Sequence, residues 1–220
     1  MLTPRLECIL KYVNCSVAAD IGTDHAYIPI ELIKRGAAER VIATDIRKGP
    51  LETAKNNIKE NGASDKIETR LGGGLSVLKT GEADVIIIAG MGGELITDIL
   101  KNDETTARAA RLILQPMNAQ YEIRRYLAEN GYFIECEDLE NEKQRIYNIM
   151  VVRNGSQTPP ERDIEYHLPK YLYLHPKFHM LLEKKRREFK KIVLGLEKSK
   201  NCDIMKLQYY RKCLEETERI

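Results

Sequence analysis

The sequence lacks the features of a secreted or membrane-spanning protein. Its five cysteines are an odd number without a Cys-x-x-Cys pair, which argues against a disulfide framework and against a cysteine zinc site. Its longest apolar runs, such as residues 85–90, are too short to span a bilayer, and its first residues contain no apolar secretion signal. We therefore expect a cytoplasmic protein with no membrane partner.

A large excess of charge of one sign is also missing from the chain as a whole. The net charge is +2, from 35 Lys and Arg against 33 Asp and Glu. Residues 160–220 nevertheless carry 15 basic and 10 acidic residues, whereas residues 1–159 carry 20 basic and 23 acidic ones. A near-neutral body followed by a basic segment suits a polyanionic partner.

The first 153 residues alternate between short apolar runs and amphipathic stretches, the pattern of βα units. We predict strands at residues 17–21, 40–45, 67–71, 84–89 and 110–114, with Pro116 stopping the last one. The helices are predicted at residues 25–35, 50–61, 93–100 and 119–130. Two further strands, at residues 132–138 and 145–153, have no helix between them and indicate an antiparallel hairpin at the sheet edge. The prediction is an α/β protein with an open, doubly wound sheet.

The end of the chain has a different pattern. Residues 154–160 have the composition of a linker, so we predict domains at residues 1–155 and 160–220. Apolar side chains then recur at helical spacing in two runs separated by residues 199–203: Phe178, Leu182, Phe189, Ile192 and Leu196, then Ile204, Leu207, Tyr210 (or Arg211) and Leu214. Two helices with narrow apolar seams predict an antiparallel, coiled-coil-like helical hairpin. Because such a hairpin can bury its own seam, we expect a monomer.

Acidic side chains follow the first two predicted strands, where an open α/β sheet binds its ligand. The first strand leads into Asp20, Gly22, Thr23 and Asp24. A carboxylate at Asp24, where dinucleotide-binding loops have a second glycine, would repel a pyrophosphate but favour a sulfonium or amino group. Asp45 ends the second strand, where a carboxylate accepts the ribose hydroxyls of an adenosine. Each acid alone could be a helix N-cap, but together they favour an adenosine-containing ligand.

Glycines after the third and fourth predicted strands indicate that the backbone approaches a ligand closely, although flexible turns are the alternative. They occupy residues 72–74, and residues 90, 92 and 93. The predicted cofactor-binding residues are Asp20, Gly22, Thr23, Asp45, Ile46, Gly72, Gly73, Gly90, Met91 and Gly92.

Three motifs carry a resemblance to a known family: DIGTDHAYIP at residues 20–29, AGMGG at residues 89–93 and LILQP at residues 112–116. They resemble the bacterial tRNA (adenine-22-N1) methyltransferase family, and the likeness extends over essentially the whole chain. The resemblance implies a class I methyltransferase (Rossmann-like) fold that uses S-adenosylmethionine and releases S-adenosylhomocysteine. It also implies a tRNA substrate, methylated on N1 of the adenine at position 22.

The implied chemistry needs few catalytic groups. Adenine N1 carries a lone pair and no proton, so the site must align the reactants and stabilise a cationic product rather than supply a general base. Residues 89–92 also lack the Asn/Asp-Pro-Pro-Tyr/Phe loop used on exocyclic amines. The candidates near the reacting atoms are Asp24, His25, Tyr27, Gln115 and Pro116, with Met91 beside them.

Each candidate has an ordinary structural alternative. Asp24 could orient the adenine amine or cap a helix. His25 could bind a phosphate or a base, and Tyr27 could stack on a splayed base, but both could simply pack. Gln115 could read a base edge or bond to backbone at a strand end.

The basic residues of the tail cluster at residues 184–191, where six of eight are Lys or Arg. On a helix most of them form one stripe, and the others lie on adjacent faces. The stripe could simply be a solvated face, but a tRNA substrate favours a role in phosphate binding. The predicted RNA-binding residues are Lys184, Lys185, Arg186, Arg187, Lys190 and Lys191. The three histidines of the tail lack a Cys or carboxylate partner that would complete a site, so we assign no metal.

Three alternatives remain at this point. One is a catalytically silent RNA-binding module with the same fold, and another is a class I methyltransferase that acts on a different RNA base. The third, a nicotinamide-dependent oxidoreductase, is disfavoured by Asp24 in the glycine turn and by the terminal hairpin.

Overall fold

The computed structural model describes residues 2–220. They divide into two compact units, one that ends at Pro159 and one that comprises Pro160–Ile220. The first unit contains a seven-stranded sheet with the strands β1 Cys15–Ile21, β2 Ala38–Asp45, β3 Ile67–Leu71, β4 Val85–Met91, β5 Arg111–Pro116, β6 Tyr132–Glu142 and β7 Arg145–Asn154. Their order is β3-β2-β1-β4-β5-β7-β6. The first five strands are parallel, and β7 pairs antiparallel with both β5 and β6. The predicted open sheet with a terminal hairpin is therefore confirmed.

Helices connect and cover the strands. In the first unit they are α1 Pro4–Leu10, α2 Tyr27–Lys34, α3 Lys48–Glu60, α4 Gly93–Asn102, α5 Glu104–Arg108 and α6 Gln120–Glu129. In the second unit they are α7 Ile164–His167, a 3-10 turn at Lys170–Leu172, α8 Phe178–Glu197 and α9 Ile204–Thr217.

Two apolar clusters lie on opposite faces of the sheet. Alternate residues of each central strand supply them: Ala18 and Ile87 belong to one cluster, and Ala19 and Ile86 to the other. Continuous apolar runs such as that of β4 follow from this, because a parallel sheet is buried on both faces. The chain winds in opposite directions from β1 to β2 and from β1 to β4, so the carboxyl ends of these strands form the crevice in which such sheets bind ligands.

Three details differ from the prediction. The second helix begins at Tyr27 rather than at residue 25, because His25 and Ala26 have left-handed φ angles of 56° and 53°. Strand β5 continues through Pro116, which pairs with Met91 after a register shift. Proline is tolerated there because it is the last residue of the strand, where its missing backbone N–H is not needed for the ladder. The short helices α1 and α5 were not predicted.

The second unit contains the two predicted long helices, and α8 packs on α9. Its buried seam on α8 is Phe178, Leu181, Lys185, Phe189 and Val193, so the predicted seam is wrong at Leu182, Ile192 and Leu196, which are half-buried. The predicted seam of α9 also fails at Ile204, which is exposed, whereas Cys213 and Thr217 are buried. The aliphatic stem of Lys185 occupies a seam position because its ammonium pairs with Glu188 at 2.9 Å. Coiled-coil character stays a prediction.

Candidate functional site

A cleft of about 1140 Å³ opens at the carboxyl ends of β1 to β4, between α1 and α4. It is large enough to hold a nucleoside-sized ligand. Ten of the residues predicted for the site line it: Asp20, Gly22, Asp24, Tyr27, Asp45, Ile46, Gly72, Gly73, Gly90 and Met91.

Two carboxylates at adjacent strand ends dominate the polar character of the cleft. Asp20 is 6% exposed and Asp45 is 5% exposed. Burial raises the pKa of Asp20 to about 6. Asp45 accepts a hydrogen bond from the backbone N–H of Arg47 at 2.7 Å, which fixes its side chain at the start of α3. The cleft thus presents two buried carboxylates to a ligand, and the backbone at the start of α3 fixes the position of Asp45.

The turn after β1 requires glycine at its centre. Gly22 has a φ of +78°, and a Cβ there would lie 2.1 Å from the methyl carbon of Met91. The backbone N–H groups of Gly22 and Thr23 both donate to the carbonyl of Thr44, at 2.8 and 2.6 Å, and tie the turn to β2. Thr23 is buried behind the turn and does not line the cleft. The turn leaves room for a ligand beside Met91.

Aromatic surface lies at the mouth of the cleft. The ring of Tyr27 is half exposed and stacks on the ring of His25, with centroids 5.3 Å apart. The imidazole Nε2 of His25 is 3.5 Å from the carboxylate of Asp24. The side-chain amide of Asn57 donates to the His25 carbonyl at 3.0 Å and stabilises a backbone that costs roughly 1–3 kcal/mol per left-handed non-glycine residue. Such strain is typical of functional sites.

Three predicted site residues besides Thr23 and His25 lie off the cleft wall: Gln115, Pro116 and Gly92. Gln115 is completely buried; its Oε1 accepts from the Gly90 N–H at 3.2 Å and from Arg5 at 2.6 Å, and its Nε2 donates to the Pro116 carbonyl at 3.1 Å. Gly92 precedes α4 as its N-cap. These residues shape the ends of β4 and β5 from behind.

Residues that the sequence analysis missed also line the cleft. Helix α1 contributes Arg5 and Leu6, the two residues before it contribute Leu2 and Thr3, and the far wall includes Leu75, Leu95, Asn102 and Asp103. Pro4 followed by apolar residues at positions 6, 9 and 10 is a helix signal that could have revealed α1. No pattern in the sequence indicates that Arg5 faces a ligand site, because only the packing of α1 beside the strand ends brings it there.

The six predicted RNA-binding residues of α8 divide into two groups. In the first, Lys184 and Lys185 contact Glu188, and Arg186 contacts Glu183 and the Thr217 carbonyl. The second group is exposed and consists of Arg187, Lys190 and Lys191. Positions i, i+3 and i+4 share one helix face, so the second group forms a short basic stripe.

Two other features of the described residues concern possible partners. No helix within residues 2–220 combines the length and apolarity that a membrane crossing requires. The same residues hold no cluster of three or more His, Cys, Asp or Glu side chains arranged around a potential metal position.

Comparison with known proteins places this geometry in a family. Residues 2–150 match the model of a methyltransferase domain. The chain is 39% identical over 168 residues to the tRNA (adenine(22)-N(1))-methyltransferase of Bacillus subtilis, covering 75% of this chain and 68% of that protein. The chain belongs to this methyltransferase family.

Solved structures agree over the whole chain. The crystal structure of the Bacillus subtilis tRNA methyltransferase superimposes with a TM-score of 0.89 at 29% identity, covering 100% of this chain and 98% of that one. A Streptococcus pneumoniae protein of the same description, crystallised in complex with S-adenosyl-L-methionine, has a TM-score of 0.83 at 32% identity and covers 97% and 100% of the two chains. Methyltransferases with both units of this fold are thus known.

Proposed function

We propose that this chain transfers a methyl group from S-adenosylmethionine to N1 of the adenine at position 22 of tRNA. The observation that carries the proposal is the pair of buried acids, Asp20 and Asp45, at the ends of β1 and β2 beside a nucleoside-sized cleft. Membership of the family supplies the reaction, since the Bacillus subtilis relative is named for it. The substrate is therefore an RNA base and not a small metabolite.

The cleft residues suit the parts of the cofactor, which supplies an electrophilic methyl group on a sulfonium. Asp45 accepts the two ribose hydroxyls, as acids at this strand end do in related sheets. Asp20 attracts the ammonium of the amino-acid part through its charge. Ile46, Gly72 and Gly73 bound the space for adenine, and the exposed Ile46 side chain offers it an apolar surface.

The acceptor base enters past the aromatic surface of Tyr27 and His25. Stacking on Tyr27 holds an unpaired base in the orientation that methyl transfer needs. Asp24 lies beside them and attracts the cationic product. Met91 excludes water next to the reacting atoms, while Gln115 and Pro116 support the backbone of Gly90 and Met91 from behind. No residue is required to remove a proton.

The second unit provides phosphate contacts in this proposal. Residues 1–155 form the catalytic domain that binds the cofactor, and residues 160–220 form a helical tRNA-binding domain. Arg187, Lys190 and Lys191 are the strongest candidates because they are exposed and form one stripe, whereas Lys184, Lys185 and Arg186 already contact protein groups. We propose a monomer that acts on tRNA in the cytoplasm.

The test is a methylation assay on defined tRNA. The protein is incubated with radiolabelled S-adenosylmethionine and unmodified tRNA, and the product is digested and analysed by mass spectrometry. One N1-methyladenosine at nucleotide 22 is expected, and a matched tRNA with guanine at that nucleotide should take up no label. Label on the guanine variant would point to another RNA base, and no label on either RNA would contradict the proposed activity.

A further inference from the structure

Arg5 is a cation in the wall of the cleft, and within residues 2–220 no acid forms an ion pair with it. Of the two arginines that line the cleft within residues 2–220, Arg47 lies 3.6 Å from Asp45, whereas no carboxylate of these residues lies within ion-pair distance of Arg5. Arginine remains charged at every relevant pH. Burying part of an unpaired charge in a ligand site costs free energy unless a ligand of opposite charge pairs with it.

The Arg5 guanidinium is held in place by neutral groups. One of its amino nitrogens donates to the Gln115 carboxamide oxygen at 2.6 Å, and its central carbon lies 5.5 Å from the ring centroid of Tyr147. Gln115 cannot rotate freely, because the same carboxamide oxygen also accepts from the Gly90 N–H and its amide nitrogen donates to the Pro116 carbonyl. The remaining N–H donors of Arg5 are thereby oriented at the ends of β4 and β5, in a fork that matches the two oxygens of a carboxylate or phosphate.

The charge of Arg5 decides which part of the substrates it can contact. The sulfonium, the ammonium of the cofactor and the methylated adenine are all cations, so a guanidinium next to any of them would be repulsive. The groups left are the α-carboxylate of the cofactor and the phosphates of the target nucleotide, which are oxyanions.

We propose that Arg5 binds an oxyanion in the cleft and positions the ligand that carries it. The inference rests on the proposed function, since the two possible oxyanions belong to the proposed substrates. Gln115 acts through Arg5 as a positioning residue. The carboxylate and the phosphate would be recognised by the same fork, and the two sources are separated by experiment.

The experiment compares Arg5→Gln and Arg5→Lys with the control Arg40→Gln. The control removes the same charge from an exposed arginine near the amino end of β2, away from the cleft. Calorimetry measures the affinity of each variant for S-adenosylhomocysteine and for 5′-methylthioadenosine, which lacks the amino-acid part. Steady-state kinetics measure kcat/KM for tRNA across a range of KCl concentrations.

If Arg5 binds the carboxylate, Arg5→Gln lowers the affinity for S-adenosylhomocysteine by about 10- to 100-fold and leaves the affinity for methylthioadenosine unchanged. If it binds a phosphate, both affinities are unchanged, kcat/KM for tRNA falls by a similar factor, and its logarithmic salt slope shrinks by about 0.7 to 0.9. In either case Arg5→Lys, which keeps the charge, recovers part of the loss.

Three outcomes would overturn the inference. The first is unchanged binding and kinetics in Arg5→Gln. The second is an equal loss of affinity for both nucleosides in Arg5→Gln together with a lower melting temperature, which would mean that Arg5 only supports Gln115 structurally. The third is a failure of Arg5→Lys to recover any loss. A wild-type protein that binds S-adenosylhomocysteine but methylates no tRNA would instead refute the proposed function, and the calorimetric arm would still test Arg5.

Discussion

The two halves of the cleft wall differ in the sign of their charge. The ends of β1 and β2 carry the buried carboxylates Asp20 and Asp45, with Arg47 3.6 Å from Asp45. The ends of β4 and β5 hold Arg5 through Gln115, and no carboxylate within residues 2–220 lies within ion-pair distance of Arg5. The same edge of the sheet therefore offers buried acids at the ends of β1 and β2 and an arginine at the ends of β4 and β5. S-adenosylmethionine has cationic and anionic groups at its amino-acid end and neutral hydroxyls on its ribose, so the difference gives the ligand a preferred direction across the edge.

The largest expected effect comes from removing the acid at the end of β2. Asp45→Ala should weaken S-adenosylhomocysteine binding by at least about 100-fold, because two charge-assisted hydrogen bonds to the ribose are lost. Calorimetry measures the affinity. Asp65→Ala, which removes an exposed acid before β3, is the matched control and should bind normally. Wild-type affinity in Asp45→Ala would contradict the assignment of Asp45 as the residue that binds the ribose.

The glycine turn that separates the two halves is the next point to test. Gly22→Ala places a Cβ against the Met91 methyl and keeps a left-handed backbone, so it should lower the free energy of unfolding by about 2–4 kcal/mol and impair cofactor binding. The double variant Gly22→Ala/Met91→Ala should recover part of the affinity because the overlap is removed. Denaturant unfolding and calorimetry provide the two measurements. Equal loss in the single and double variants would show that Met91 is not the obstacle.

The pKa of Asp20 makes the acidic half dependent on pH. Burial raises this pKa from 3.8 to about 6, so the native carboxyl takes up a proton as the pH falls through 6. Affinity for S-adenosylhomocysteine should then fall by up to tenfold per pH unit below 6, because the neutral acid no longer attracts the ammonium. Asp20→Asn should bind about tenfold more weakly at pH 7, without that dependence. Calorimetry from pH 5 to 8 tests both statements, and parallel curves for the two proteins would contradict them.

The same pKa predicts an opposite effect on stability. An acid whose pKa is raised on folding destabilises the native state when it is ionised, which is above pH 6, and this cost disappears below about pH 4. Asp20→Asn should therefore raise the free energy of unfolding of the ligand-free protein by roughly 3 kcal/mol at pH 7 and by little at pH 4. Urea unfolding at the two pH values measures it. A less stable variant at pH 7 would mean that the buried carboxylate is compensated within the protein.

Paired and unpaired charges also differ along α8, where the smallest effect is expected. Replacing Arg187, Lys190 and Lys191 with Gln should weaken tRNA binding by about tenfold and reduce the logarithmic salt slope by up to about 2, with cofactor affinity unchanged. Replacing Lys184, Lys185 and Arg186 should mainly lower the melting temperature, because Lys185 is buried and these groups contact Glu188, Glu183 and Thr217. Filter binding at several salt concentrations distinguishes the two sets, and identical slopes would contradict the proposed stripe.

The sequence predicted what depends on local pattern. Strand β3 has the predicted bounds, and Asp20 and Asp45 could be located because strands and strand ends follow from apolar runs and the residues that stop them. The sequence-based predictions failed where the position of a residue depends on a long side chain or on tertiary packing. Lys185 takes a seam position through its aliphatic stem, which no apolar pattern shows. Arg5 reaches the cleft only because α1 packs against β6 and β7, beside the ends of the central strands.

A crystal structure of the protein with S-adenosylhomocysteine tests the central claim most directly. The account predicts that the Asp45 carboxylate lies within hydrogen-bond distance of both ribose hydroxyls, with the ammonium of the ligand next to Asp20. A ribose bound at the ends of β4 and β5, with Asp20 and Asp45 both free of ligand, would contradict it.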